Sequence, residues 1–391
     1  MKKIFSNQFA GTMFVGLIVA LIASPVVAYP PDPDNAALLY YQGFLTLARL
    51  DDVARDRVRD VARGKIAPDD KVREDIIACG GAIQFAEAAA KVPTCHWGVR
   101  FSQGFDAVMP QMAQSRFLTF VLIADARIRA ADGDYRGALE RCLMTGTFAR
   151  HIGDDTLISY LVSIAVRGLE YKCMQDVMGQ AASDAELLQW LKSELATSGD
   201  MIVSPIRPVK IEIQIVSDLL QMENAQQYAR AVSSGSDDKT QEEILATVNE
   251  EIFERARQLY LERATSALTV LSMPMPYDQA HTQLKELMDG FDPNDPSAAA
   301  AQALAPSLAG VLTVKTRGQT HANAIKVAIE VLLSHARTGR LPNALPVGLP
   351  KDAFSGKDFE YVKSKDGFAL RCRAKDLNKD QIHQYEFKVA K

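Results

Sequence analysis

Residues Ala130-Ala131-Asp132-Gly133-Asp134-Tyr135-Arg136-Gly137-Ala138-Leu139 decide the reading of the fold. Gly133 is a helix stop, because glycine takes the left-handed closing conformation without a Cβ penalty. Asp134 is a helix start, because its carboxylate accepts from an unpaired amide of the following turn. Upstream, in Met112 to Ala131, Phe117, Phe120, Val121, Ala124, Ile128 and Ala131 fall on one stripe; downstream, Tyr135, Ala138, Leu139, Cys142, Leu143 and Ala149 share a face. Two such helices joined by so short a turn run antiparallel and bury their stripes together.

The same 3.6-residue period extends outward over most of the chain. Asp34 or Asn35 caps a helix carrying Ala37, Leu38, Tyr41, Leu45 and Ala48, and Asp51 to Gly64 forms a strongly charged, solvated helix. The pattern predicts further helices over Asp69 to Lys91, Leu157 to Met178, Ala185 to Ala196 and Val209 to Ala231, with Thr240 to Ser272 the longest. Met273-Pro274-Met275-Pro276 and Phe291 to Pro296 are breaks. A clean amphipathic helix follows, with Ile325, Ala328, Ile329, Leu332, Leu333 and Ala336 in register up to Arg337. After Gly339 the period becomes two: Phe359 and Tyr361, then Phe368, Leu370 and Cys372, flank Asp366-Gly367 as a tight hairpin, and Tyr385, Phe387 and Val389 supply a third strand. The expected architecture is mainly α, an irregular stack of antiparallel helical hairpins over 29–338, with a small C-terminal antiparallel β-sheet over 339–391 packed on the 321–337 helix.

At Gly133 to Leu139 the chain resembles a tetratricopeptide hairpin, whose junction also pairs Gly-Asp-Tyr with a small residue three positions on. No second copy occurs near a 34-residue period, so the resemblance implies one hairpin and not an array. The tail, Gly339-Arg340-Leu341-Pro342 and then Leu349-Pro350-Lys351-Asp352-Ala353-Phe354-Ser355-Gly356-Lys357, resembles that of a group of uncharacterised exported bacterial helical proteins. It is also distantly similar to the globular end of type II secretion pseudopilins. Asn35 to Gln42, Cys95-His96-Trp97 and Ala149 to Asp155 resemble the uncharacterised group in the same order. That group implies no activity. The pseudopilin pattern requires an N-terminal glutamate, and Gly11 to Leu21 contains no acidic residue.

Lys2 and Lys3 precede an uncharged run from Phe9 to Ala28, with Pro25 and the small residues Val26 and Ala28 ahead of Tyr29. Residues 1–28 therefore read as a secretory signal peptide, the alternative being an uncleaved membrane anchor. The expected location is periplasmic or extracytoplasmic, with membrane contact only through 1–28 if they are retained. With Lys+Arg 44 against Asp+Glu 48 there is no basic surplus to hold a phosphate backbone, which argues against nucleic acid as a partner. Export permits disulfides, and Cys79 and Cys95 bracket a short segment that such a bridge would close; the bland alternative is small buried thiols on helices.

Few residues are arranged for chemistry. His151 with Asp154 or Asp155 is the catalytic candidate, because a carboxylate three positions on can orient an imidazole, with Ser159 as a nucleophile. Ordinary helix punctuation explains the same residues. Asp376, Asn378 and Asp380 alternate like the opening of a calcium loop, but Gln381 stands where that loop needs glycine. His321, Glu330 and His335 lack a zinc spacing, and no cofactor fingerprint is present. The expected function is a non-enzymatic interaction or structural protein of the cell envelope with an unknown protein or peptide partner. The alternatives are an exported hydrolase-like enzyme using His151 with Asp154 or Asp155, and an envelope component beside a secretion machine. N-terminal sequencing of material from the native host is expected to begin at Tyr29 in the soluble fraction; Met1 or Lys2 recovered from membranes replaces that reading with the anchored one.

Overall fold

The structure, a computed structural model, describes residues 32–197, 202–233 and 238–389. The signal-peptide reading of 1–28 lies outside the described residues. Among those described, the chain is mainly α: fifteen α-helices and one three-stranded antiparallel sheet. Helix α1 spans Ala36–Thr46, α2 Asp52–Ala62, α3 Asp70–Ala78, α4 Gly80–Ala90, α5 Gln111–Ala131, α6 Tyr135–Ile152, α7 Leu157–Gln180 and α8 Ala185–Thr197. The second half adds α9 Ile206–Leu219, α10 Ala225–Val232, α11 Asp238–Leu245, α12 Glu250–Ser272, α13 Tyr277–Asp289, α14 Pro296–Leu304 and α15 Leu308–Thr338. The strands are β1 Glu360–Ser364, β2 Gly367–Arg371 and β3 Gln384–Lys388, in that order across the sheet.

The α5–α6 junction forms as its residues dictate. Gly133 closes α5 at φ 83°, and the Asp134 carboxylate accepts from Gly137 N at 2.9 Å to start α6. α7 then returns along α6, and α5, α6 and α7 make the central layers. α1 packs on α4 and α2 on α5. α2 is not the fully solvated helix its charge suggests: Ala54, Val58, Val61 and Ala62 are buried, while Arg55 lies over the Phe117 ring and Arg59 and Arg63 over Phe120. Its long cationic stems cover aromatic surface and keep their charged heads at the edge.

Three expected helices are divided. Cys79 ends α3 and the Gly80-Gly81 pair weakens continuation, so the predicted 69–91 helix becomes α3 and α4. The 209–231 helix breaks after Leu219, where the Asn224 side-chain amide donates to Asp218 O. The 240–272 helix breaks before Asn249, whose side chain accepts from Ile252 N and so caps α12. Among the described residues the longest helix is instead α15, with 31 residues, ended by left-handed Gly339. The Pro296–Thr338 stretch is long and apolar enough to cross a membrane. Its Ile325, Val327, Ala328, Ile329 and Leu332 are buried, and α15 packs against α7, α8 and α13, as a core helix does.

In the sheet the turn residues are Lys365 and Asp366, not Asp366 and Gly367: Ser364 pairs with Gly367, Lys363 with Phe368 and Tyr361 with Leu370. The register moves by two, so the faces are unchanged. Gly367 belongs to β2 because its φ is 152° and a Cβ there would collide with the Phe387 carbonyl on β3. Phe359, Phe368, Leu370, Cys372, Tyr385 and Phe387 are buried, and Tyr361 is half-buried. The sheet meets α15 where His321 stacks on Tyr385 at 4.6 Å, but β3 lies chiefly on α7. There the Gln175 amide donates to Glu386 O, and Gly179 leaves room for the Lys388 carbonyl. The Gly367→Ala variant is expected to lose about 1–3 kcal/mol by overpacking, read as a lowered Tm, while Asp366→Asn at the exposed turn stays within about 0.5 kcal/mol of the parent.

Candidate functional site

Three stretches far apart in sequence, Asn35 to Tyr41, Cys95 to Trp97 and His151 to Ser159, come together in one junction. Asn35 caps α1 by accepting from Ala37 N at 3.1 Å, and its amide exchanges two hydrogen bonds with the His96 backbone, at 3.0 and 2.8 Å. This holds the Cys95 to Trp97 loop against the start of α1. Trp97 is then buried; its indole N–H donates to His151 O at 2.7 Å, and its ring stacks on Tyr40 at 5.5 Å. Tyr40, fully buried, has its hydroxyl 3.0 Å from His151 Nδ1, and its ring meets Phe148 at 4.7 Å.

His151 is only 5% exposed. Its Nδ1 is engaged by Tyr40, and its Nε2 is buried with no hydrogen-bond partner. Burial, helped by Arg150, lowers its pKa to about 4, so the ring is neutral at physiological pH. The two acids do not orient it. Asp154 is half exposed and pairs with the Arg207 guanidinium of α9. Asp155 is buried 3.8 Å from Arg207, and burial raises its pKa while Arg207 opposes the shift. Ser159 is held in the cap of α7: its hydroxyl receives Thr156 N at 2.8 Å and donates to Thr156 O at 2.8 Å, while Thr156 Oγ1 receives Ser159 N at 3.1 Å. This is a capping box, and it uses the groups that nucleophilic chemistry would need free. The larger clefts lie on other residues. One of about 870 Å³ is lined by His335, Arg340, Lys363 and Lys365, and one of about 590 Å³ by Glu186, Lys192, Glu330 and Arg337.

The remaining candidates are also placed. Asp376, Asn378 and Asp380 do not converge on a common centre. Fully buried Asp376 receives Arg317 at 2.6 and 3.2 Å and His383 Nε2 at 2.9 Å. Although burial opposes it, His383 and Arg317 hold the Asp376 carboxyl below the usual range. Asn378 Oδ1 lies 2.8 Å from His281 Nε2, and Asp380 pairs with Lys375 at 2.8 Å. Among the described residues no group of three His, Cys, Asp or Glu side chains is arranged to hold a metal ion. His321 is packed between Tyr171 and Tyr385, away from a metal-binding role with His335, whose ring lies 3.4 Å from Ala182 O.

Cys79 and Cys95 are both free thiols, and the bracketing segment does not bring them together. Cys79 is buried at the α3–α4 junction, whereas Cys95 is half-buried in the loop before Trp97. Burial pushes the Cys95 thiol up to about 12, far from a reactive thiolate.

One polar feature had no signal in the linear pattern. Arg167 and Glu170 on α7 form an ion pair at 2.9 and 3.2 Å with Glu170 fully buried, in space that a side chain on Gly146 of α6 would occupy. Burial raises the Glu170 pKa to about 7 against the opposing Arg167. The i, i+3 spacing of these residues is common on solvated helices, so burial is visible only once α6 is in place. No protein-family model, curated protein or solved structure matches the chain.

His321 is half-buried with its Nε2 shielded from solvent, and this burial lowers its pKa to about 3, so it is neutral like His151. Unfolding returns both rings to an ordinary pKa near 6.5, so the unfolded chain binds more protons below that pH. Stability is therefore full above about pH 6.5 and falls as pH drops toward 4, by on the order of 2–3 kcal/mol per ring. In Tm measured against pH, His151→Gln is expected to flatten this acid limb; a variant with an unchanged limb would show that His151 is already protonated in the folded protein.

Proposed function

We propose that the chain is an exported, non-enzymatic interaction or structural protein of the cell envelope, which acts by presenting helical surfaces to a protein or peptide partner. One observation carries this reading: the residues best suited to catalysis are used to join helices. His151 binds Tyr40, Ser159 caps α7, and Asp154 ties the α6–α7 connection to α9 through Arg207. The apolar run at 9–28 behind Lys2 and Lys3 supports export. Stacked helical pairs work mostly as binding surfaces, and the tetratricopeptide-like turn at Gly133 to Leu139 is of that kind.

The purified protein is expected to show no turnover of ester, phosphoester, glycoside or peptide substrates that depends on His151 and Asp154. Affinity purification with cross-linking from the native envelope fraction is expected to recover one partner in constant proportion. A turnover abolished by both His151→Gln and Asp154→Asn, at unchanged Tm, would replace this reading with the hydrolytic one.

A further inference from the structure

The five thiols divide by where they sit in the fold. Cys79 lies at the α3–α4 junction, Cys95 in the loop before Trp97 and Cys372 just after β2. Cys142 and Cys173 stand level with each other in the antiparallel α6–α7 pair, because Gly146 on α6 meets Arg167 and Glu170 on α7 and Gly153 meets Ser163. Cys142 lies on α6 and Cys173 on α7, neighbouring helices joined by a short connection, and both residues are fully buried. The two sulfurs thus face one another across the central helix pair, where a covalent bond needs little backbone movement.

We propose that Cys142 and Cys173 are a disulfide site that staples α6 to α7 when the chain folds in an oxidising environment. Each thiol gives up one proton and one electron, and the S–S bond forms. The acceptor is a disulfide, either glutathione disulfide or that of a thiol-oxidising exchange protein; its own S–S bond breaks and it leaves as two thiols. Neither sulfur is accessible after folding, so exchange takes place while the hairpin is still open, and closure then shields the bond from reduction. The loop closed is about 30 residues, a length at which a bridge strongly restricts the unfolded chain. Cys79, Cys95 and Cys372 have no such opposing sulfur and stay reduced.

The test uses the full chain, unfolded in guanidinium with dithiothreitol and refolded with either a reduced or an oxidised glutathione buffer. After oxidative refolding, thiols titrated in guanidinium are expected to fall from five to three. Peptide mapping should recover one cross-linked pair, about 2 Da lighter than its reduced parts, containing Cys142 and Cys173. The oxidised form should melt about 5 °C above the reduced form. A Cys142→Ser/Cys173→Ser variant is expected to give the same count of three in both buffers. If that variant fails to fold, the wild-type count and map decide alone. Five titratable thiols after oxidative refolding, or a bridge between any other pair, would overturn the proposal.

Discussion

The ion pair of Arg167 and Glu170 lies inside the protein with Glu170 fully buried, and it fits only because residue 146 has no side chain. Removing one partner from a buried pair leaves an uncompensated charge and costs about 3–5 kcal/mol. The same constraint recurs along α7. Gly153 admits the Ser163 side chain, and Gly179 admits the Lys388 carbonyl of β3. α7 is the element on which α5, α6, α9, α15 and β3 all pack, and a missing Cβ opens the approach on two of those sides. A close approach of this kind fixes helix spacing more tightly than apolar burial does, because burial tolerates repacking and a backbone contact does not.

What was legible in the sequence follows from which signals are local. The Gly133–Asp134 turn and its flanking stripes depend on residues within a few positions of one another, and they form as read. The change of period after Gly339 is local in the same sense. The divided helices were hidden because apolar periodicity continues across Cys79, Leu220 and Val248, while the breaks come from single caps and glycine pairs. The hairpin turn was misplaced by one residue, and the register by two, for a related reason. A glycine beside an aspartate suggests a turn, yet Gly367 serves the approach of β3, an element 20 residues away.

The junction around His151 shows the same limit. The three segments that build it stand out in sequence, but Tyr40 and His151 are separated by 111 positions and nothing local links them. Polar residues elsewhere in the tail play a similar part. Asp352, fully buried, accepts from Phe354 N, Ser355 Oγ and Arg373 N, which closes the Pro350 to Gly356 loop and places Phe354 between Tyr277 and His383. Asp376 joins the tail to α15 through Arg317. These carboxylates specify which surfaces meet, a task that apolar contacts perform with less discrimination.

The contact of β3 with α7 also sets an order of events in time. The Gln175 amide finds the Glu386 carbonyl 211 residues further along the chain. At a synthesis rate of about 5–20 residues per second, roughly 10–40 s separate the emergence of these two residues from the ribosome. For that interval the face of α7 that will receive the sheet is bare, and so is the surface that α15 will cover. Once folding begins, the helical layers before Gln180 assemble first from local contacts, whereas the last 50 residues complete the core late and over a long loop. A nascent chain of this topology therefore depends on being held open by a chaperone until its C-terminus is made.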